Sequence, residues 1–190
     1  MVETPKVPSQ KDSAAIFVTA LVLAFCAMAS AYAQHQDHAG PVAVTNNSFN
    51  SIKTLVGDWE GHFEWIGTDR KGSMNARYYL TGNGSALIED LISDGIPTMT
   101  TVYHLNGNEL RATHYCGAGN QPRLIAVSTD EKTHSVKFDM IDITNLATPE
   151  SGHVKNLELR LTDPKDLTIL FTFVASGKER IEQITLKRRS

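Results

Sequence analysis

The stretch Thr98–Cys116, with the sequence TMTTVYHLNGNELRATHYC, indicates the fold of this chain most clearly. Two segments with apolar residues at alternate positions flank the dipeptide Asn106-Gly107 within it. Alternation of this kind is typical of a β-strand with one buried face, and Asn-Gly between two such segments is the strongest short-range signal for a β-hairpin. The stretch therefore predicts two antiparallel strands joined by a tight turn.

The same alternation continues on both sides of this hairpin. Connections this short join antiparallel neighbours, and no segment between them has the length of a crossover helix, which argues against a parallel α/β sheet. Closure removes the unpaired edges of a long sheet. We therefore expect an all-β, antiparallel up-and-down barrel, with a β-sandwich as the main alternative. About ten strands are predicted: Asp58–Ile66, Ser73–Thr81, Ser85–Ile92, Thr98–Leu105, Glu109–Cys116, Arg123–Thr129, His134–Met140, His153–Thr162, Leu167–Ala175 and Arg180–Lys187.

The residues before the first strand predict an export signal and a short helical turn. Lys6 and Lys11 precede an apolar stretch that ends at the A-x-A site Ala31–Ala33, the pattern of a cleaved secretory signal peptide. An uncleaved membrane anchor is the alternative. We expect a periplasmic or secreted protein with no stable membrane anchor after cleavage. The predicted regions are a signal peptide at 1–33, a flexible segment at 34–47 and a barrel domain at 48–190, which begins with Phe49, Ile52, Leu55 and Val56 at helical spacing.

Composition argues against several kinds of partner. The 190 residues have a formal net charge of -3, and the one basic cluster is Lys187–Arg189 at the C-terminus, so no nucleic-acid partner is expected. Cleavage after Ala33 removes Cys26 and leaves Cys116 alone, so no intramolecular disulfide is expected. His35 and His38 form an isolated pair, and we expect no metal there.

The segment Leu55–Gly61, LVGDWEG, resembles the start of lipocalins and their calycin relatives. In that family a short helical turn closes one end of the barrel, and the tryptophan of a Gly-x-Trp motif packs over the closed base. A late arginine often stacks on this tryptophan. The resemblance implies that Trp59 packs at the base, with Arg180 and Arg188 as the candidate partners.

A second resemblance covers about Phe49 to Lys187. It is to a group of bacterial exported lipocalin-like proteins without an assigned activity, so it implies fold and export but no function. The number of strands also resembles fatty-acid-binding proteins and nitrobindin-type haem barrels, although only Gly57-x-Trp59-x-Gly61 matches the latter. The segments that carry the second resemblance are Leu55–Gly61, Gly84–Glu89, Met99–Leu105, Thr113–Cys116 and Gly119–Arg123.

Alternation along the hairpin places two reactive side chains on one face. His114 and Cys116 share a face with Leu110. We expect that face to point inward, because the opposite face carries Arg111, whose burial without a partner is costly. Imidazole and thiolate are competent metal or haem ligands, although an inward cysteine also behaves as a small apolar residue.

Two further polar residues are expected inside the barrel. Glu89 lies between apolar neighbours, and a buried carboxylate needs a partner such as Arg123 or Arg77. This pair would either orient a polar head group or act as a structural ion pair. Tyr103 shares a face with apolar residues and is expected to donate its hydroxyl to a ligand or to the backbone.

A closed barrel of roughly eight or more strands has room for a small ligand. The sequence therefore predicts an exported protein that binds an apolar or amphipathic small molecule inside the barrel, with no catalytic residue, cofactor or metal. The alternatives are a haem-binding or hydrolytic enzyme that uses His114 and Cys116, and a filled structural barrel without a ligand. The predicted cavity residues are Phe63, Ile88, Glu89, Tyr103, Leu110, His114, Cys116, Arg123, Ile169 and Phe171.

Overall fold

The computed structural model describes residues 46–130 and 133–190. Ten antiparallel strands form one closed barrel in which each strand pairs with its neighbours in sequence and β1 pairs with β10. The predicted all-β up-and-down barrel is confirmed, and the sandwich alternative is wrong. The elements are α1 Asn46–Lys53, β1 Gly57–Trp65, β2 Lys71–Thr81, β3 Ala86–Ser93, β4 Ile96–Asn106, β5 Glu109–Tyr115, β6 Gln121–Asp130, β7 Ser135–Thr144, β8 His153–Asp163, β9 Asp166–Ala175 and β10 Lys178–Arg188.

The region before α1 is not tested by the structure. The predicted signal peptide at residues 1–33 and the pair His35 and His38 lie outside the described residues. Residues 34–45 of the predicted flexible segment also lie outside the described residues. Its last two residues, Asn46 and Asn47, begin α1. Cleavage after Ala33 therefore stays a prediction.

The central hairpin forms as its sequence predicts. Asn106 pairs with Glu109, so Gly107 and Asn108 alone connect β4 to β5. Gly107 has a φ of 58°, in the left-handed region that glycine adopts without the steric penalty of a side chain. This tight connection sets the register that places Tyr103 opposite Ala112 and Thr101 opposite His114.

The buried residues alternate along the strands, so the barrel interior forms one continuous hydrophobic core. At the base, α1 contributes Phe49 and Ile52 and the turn after it contributes Leu55, whereas Val56 is exposed. From the strands, the core contains Trp59, Met74, Ala76, Tyr78, Leu87, Leu91, Tyr103, Leu110, Ala112, Leu124, Ala126, Val136, Phe138, Val154, Leu157, Leu159, Leu167, Ile169, Phe171, Ile184 and Leu186.

The base of the barrel is closed around Trp59, which is fully buried. Its indole Nε1 donates a hydrogen bond to the carbonyl of Leu55 at 2.8 Å, which ties the end of the helical segment to β1. The guanidinium of Arg188 lies 4.3 Å from the ring centroid and donates to the carbonyls of Thr54, Val56 and Pro164. Of the two candidate arginines, Arg188 is therefore the one that stacks on Trp59.

Candidate functional site

A cavity of about 410 Å³ opens at the end of the barrel opposite α1. Its walls combine aromatic rings and sulfur-containing side chains with a few polar groups near the opening. Pockets for small molecules commonly have this mixture of an apolar lining and few polar groups. The lining residues are Phe63, Trp65, Arg70, Met74, Ser93, Thr98, Met99, Cys116, Gly117, Ala118, Val154, Phe171, Phe173 and Glu182.

Two glycines leave room for the aromatic walls. A Cβ atom on Gly72 would lie 2.9 Å from the ring of Phe63, and one on Gly152 would lie 2.4 Å from the ring of Phe173. Both distances are shorter than van der Waals contact. Side chains at these two positions would therefore displace the rings, so the glycines help to set the shape of the cavity.

A charged and aromatic group of side chains lies at the opening. Trp65 and Glu182 are 9% and 8% exposed, and the guanidinium of the exposed Arg70 lies 4.8 Å from the Trp65 ring centroid. Burial raises the pKa of Glu182, while the charge of Arg70 and the indole of Trp65 partly oppose this rise. Among the described residues, Trp65 Nε1 nevertheless has no hydrogen-bond partner of ordinary geometry. We call Trp65, Arg70 and Glu182 the rim triad.

Below the cavity, four polar side chains form a row across four consecutive strands. Tyr78, Glu89, Thr101 and His114 are direct partners in the register of β2, β3, β4 and β5. Because residues directly opposite each other project from the same face of a sheet, all four point into the barrel. Glu89, Thr101 and His114 are fully buried, and Tyr78 is 1% exposed. We call these four residues the polar row.

Hydrogen bonds connect the polar row from end to end. Glu89 Oε2 accepts from the hydroxyls of Tyr78 at 2.5 Å and Tyr103 at 2.9 Å. Thr101 donates its hydroxyl to Glu89 Oε1 at 3.0 Å and lies 2.9 Å from His114 Nδ1. Since a threonine hydroxyl has only one proton, Nδ1 of His114 is then the donor to Thr101. His114 Nε2 is left as an acceptor, and it has no partner among the described residues.

Burial controls the protonation of the polar row. It raises the pKa of Glu89, against the lowering effect of the three hydroxyl donors. It also raises the pKa of Tyr78 and Tyr103, with a further contribution from the charge of Glu89. Burial lowers the pKa of His114 to about 4. The imidazole is therefore neutral near neutral pH.

The predicted ion pair between Glu89 and an arginine does not form. Arg123 is exposed and pairs with Asp142 at 2.5 Å, and Arg77 is exposed and pairs with Asp58 at 3.1 Å. Both arginines lie on the outer face, because the alternation that directs Glu89 inward directs them outward. Hydroxyl groups replace the expected cation.

The predicted cavity residues fall into three groups. Phe63, Cys116 and Phe171 line the cavity. Ile88 and Arg123 lie on the outer face; for Ile88 this follows because its neighbour Glu89 points inward, and adjacent strand residues face opposite sides. The remaining five are buried in the core below the cavity: Glu89, Tyr103, Leu110, His114 and Ile169.

Several residues of the site were not predicted, although part of the signal was present. Tyr78 lies two and four residues from Ala76 and Met74, and Glu182 lies two residues from Ile184, so the period of two already places both on the inner face. Arg70 lies in the turn between β1 and β2, where no such pattern exists. Its place at the cavity depends on how that turn folds over Trp65.

The pair His114 and Cys116 does not form a nucleophile and its base. His114 Nδ1 is occupied by Thr101, while Cys116 Sγ accepts a 3.5 Å contact from the backbone N–H of Ala118. Burial raises the pKa of the Cys116 thiol, which disfavours the reactive thiolate. The described residues therefore contain no hydrogen-bonded Cys–His pair.

The position of His114 does not fit axial ligation of a haem. Its ring is fully buried and packs against Phe171, with 4.8 Å between the ring centroids, and it is not part of the cavity wall. Across residues 46–130 and 133–190, no group of three or more His, Cys, Asp or Glu side chains is arranged to hold a metal ion.

Comparison with known proteins gives no family assignment. No family model matches the chain, and no curated protein sequence matches it. The closed barrel of ten antiparallel strands is compatible with a lipocalin-like fold. Within the described part of the chain, no helix has both the length and the apolar character required to cross a membrane.

Proposed function

We propose that this chain is an exported lipocalin-like protein that binds an apolar or amphipathic small molecule at the open end of its barrel. The observation that carries the proposal is the cavity of about 410 Å³ with its aromatic and sulfur lining. This volume lies within the range of roughly 300–1,000 Å³ that small-molecule pockets occupy.

The resemblance to lipocalins also supports the proposal. The helical segment closes the base, Trp59 is buried over it, and Arg188 stacks on the indole, which is the arrangement that the Gly-x-Trp resemblance implies. With the base closed by the helical segment, the opposite end of the barrel, where the cavity lies, is the entrance for a ligand in this proposal. Because a signal peptide is predicted, the protein in this proposal binds its ligand in the periplasm or in the extracellular medium.

Apolar burial supplies most of the binding free energy in this proposal. A ligand that buries about 250 Å² of apolar surface gains about 6 kcal/mol, at about 25 cal/mol per Å². A dissociation constant of about 1 μM corresponds to about 8 kcal/mol. Apolar burial alone therefore falls at least about 2 kcal/mol short of micromolar affinity, because the loss of translational and rotational freedom on association adds to the deficit, and the rim triad is the nearest source of polar interactions.

Titration with the neutral fluorescent probe N-phenyl-1-naphthylamine tests this function. Cys116→Trp fills the cavity, whereas Tyr115→Trp adds an indole at the adjacent residue, which is 50% exposed on the outer face. We expect saturable binding by the wild type and Tyr115→Trp, and at least about a tenfold loss of affinity in Cys116→Trp, which is about 1.4 kcal/mol. Circular dichroism verifies that both variants are folded.

Two results would overturn the proposed function. The first is the absence of saturable probe binding by the wild type. The second is equal affinity of the wild type and a folded Cys116→Trp variant, since the probe would then bind somewhere other than the cavity.

A further inference from the structure

The rim triad limits the charge of the ligand, and this inference rests on the proposed binding function. Glu182 lines the cavity at 8% exposure and has no ion pair within 4.0 Å among the described residues. A charge buried without a partner is costly, so a carboxylate in this position favours an incoming cation. The adjacent wall is aromatic, and aromatic faces attract cations through their quadrupoles.

The chain's own arginine already occupies a cation position at this rim. The guanidinium of Arg70 lies 4.8 Å from the Trp65 ring centroid, and its charge acts on Glu182. Arg70 is exposed, and no described carboxylate pairs with it within 4.0 Å. Little therefore holds this side chain in place, and a ligand cation can replace it at small cost.

The interior below the cavity gives an anion no support. The polar row contains the carboxylate of Glu89, and His114 at its end is neutral near neutral pH. No lysine or arginine is among the buried residues of the described chain. An anionic head group that entered deeply would meet carboxylates and no compensating positive charge.

We infer that the cavity selects cationic amphiphiles. The apolar body of such a ligand packs among Phe63, Phe171 and Phe173. Its ammonium group lies at the rim near the carboxylate of Glu182, on the indole face of Trp65 that the Arg70 guanidinium otherwise covers. An amphiphile with a carboxylate head is the class that the cavity rejects.

Competition among three ligands with the same dodecyl chain tests this inference. Dodecyltrimethylammonium, dodecanol and dodecanoate are each titrated against bound N-phenyl-1-naphthylamine, below their aggregation concentrations. We expect the ammonium compound to bind at least about tenfold more tightly than dodecanoate, a difference of about 1.4 kcal/mol, with the alcohol between them.

Three variants locate the source of the selectivity. Glu182→Gln should weaken binding of the ammonium compound about tenfold and change the affinity for dodecanol much less, since only a charged head group gains from Coulomb attraction to the carboxylate. Glu179→Gln is the matched control, because it removes the same charge from an exposed position on β10. Arg70→Gln, at an exposed position, should strengthen ammonium binding by removing the competing cation.

The outcomes distinguish this inference from the proposed function. Equal binding of the three ligands, or Glu182→Gln and Glu179→Gln behaving alike, overturns the cation inference while ligand binding itself stands. Tightest binding of dodecanoate, lost in Arg70→Gln, also overturns it and makes Arg70 an anchor for anions. If neither the probe nor any of the three ligands binds, the proposed function fails instead.

Discussion

The buried histidine of the polar row makes the stability of the barrel depend on pH. Burial lowers the pKa of His114 to about 4, from an ordinary value of 6.5. As the pH falls below 6.5, the unfolded chain binds a proton at this residue while the folded protein does not. The stability that neutral His114 contributes is therefore complete above 6.5 and is lost as the pH falls towards 4.

The magnitude follows from the same values. The gap between 6.5 and about 4 corresponds to about 3 kcal/mol, at about 1.4 kcal/mol for each pH unit. Glu89 acts in the opposite direction, because burial raises the pKa of its carboxyl. Its contribution to stability is present at low pH and is lost as the pH rises through the folded pKa, so the wild type alone shows only the net effect.

The variant His114→Asn isolates the histidine. The amide N–H of asparagine retains a donor for Thr101, so the environment of Glu89 changes little, while the titrating ring is removed. Urea unfolding of the wild type and the variant is measured from about pH 7 to about pH 4. We expect the free-energy difference between them to shift by about 3 kcal/mol against the wild type over this interval.

His62→Asn serves as the control for the removal of an imidazole, because His62 is exposed on β1. If the wild type and His114→Asn lose stability in parallel as the pH falls, His114 does not enter the folded state as a buried neutral group.

Three further predictions concern the base, the polar row and the cavity. Trp59→Ala should lower the free energy of unfolding by about 3–5 kcal/mol; a loss below about 1 kcal/mol in urea titrations would contradict its burial. Tyr78→Phe removes a hydrogen-bond donor to the buried Glu89 and should lower the free energy of unfolding by about 1–3 kcal/mol. A loss below about 0.5 kcal/mol in urea titrations would argue against this hydrogen bond. Cys116 should react slowly with a maleimide in the folded protein and rapidly in urea, and bound N-phenyl-1-naphthylamine should slow the reaction further. Fast labelling that the probe does not change would place the thiol outside the cavity.

The strands and the faces of most residues could be predicted from the sequence alone. Alternation along β5 places Leu110 and His114 inside, and the structure has both fully buried. Asn106-Gly107 predicts a tight turn between β4 and β5, and the structure has such a turn, with Gly107 and Asn108 as the connecting residues. Such features depend on neighbours in the chain, because the period of a strand and the conformation of a glycine are local properties.

The partners of the inward residues could not be predicted in the same way. Glu89 was expected to meet an arginine, but the register across β2, β3 and β4 brings Tyr78 and Thr101 to it instead. This register depends on the lengths of the turns that join β2 to β3 and β3 to β4. The pairing of β3 with β4 also shifts register between Leu91 and Ile92 of β3. A shift of one residue would exchange the inner and outer faces.

The rim triad depends on the tertiary structure most strongly. Trp65 ends the first strand, Arg70 lies in the following turn, and Glu182 belongs to the last strand, where it pairs with Trp65. Local sequence determines that each strand has an inner face, because alternation is enough to bury one side. Only closure of the barrel brings the first strand beside the last, and the charge at the opening of the cavity arises from that contact.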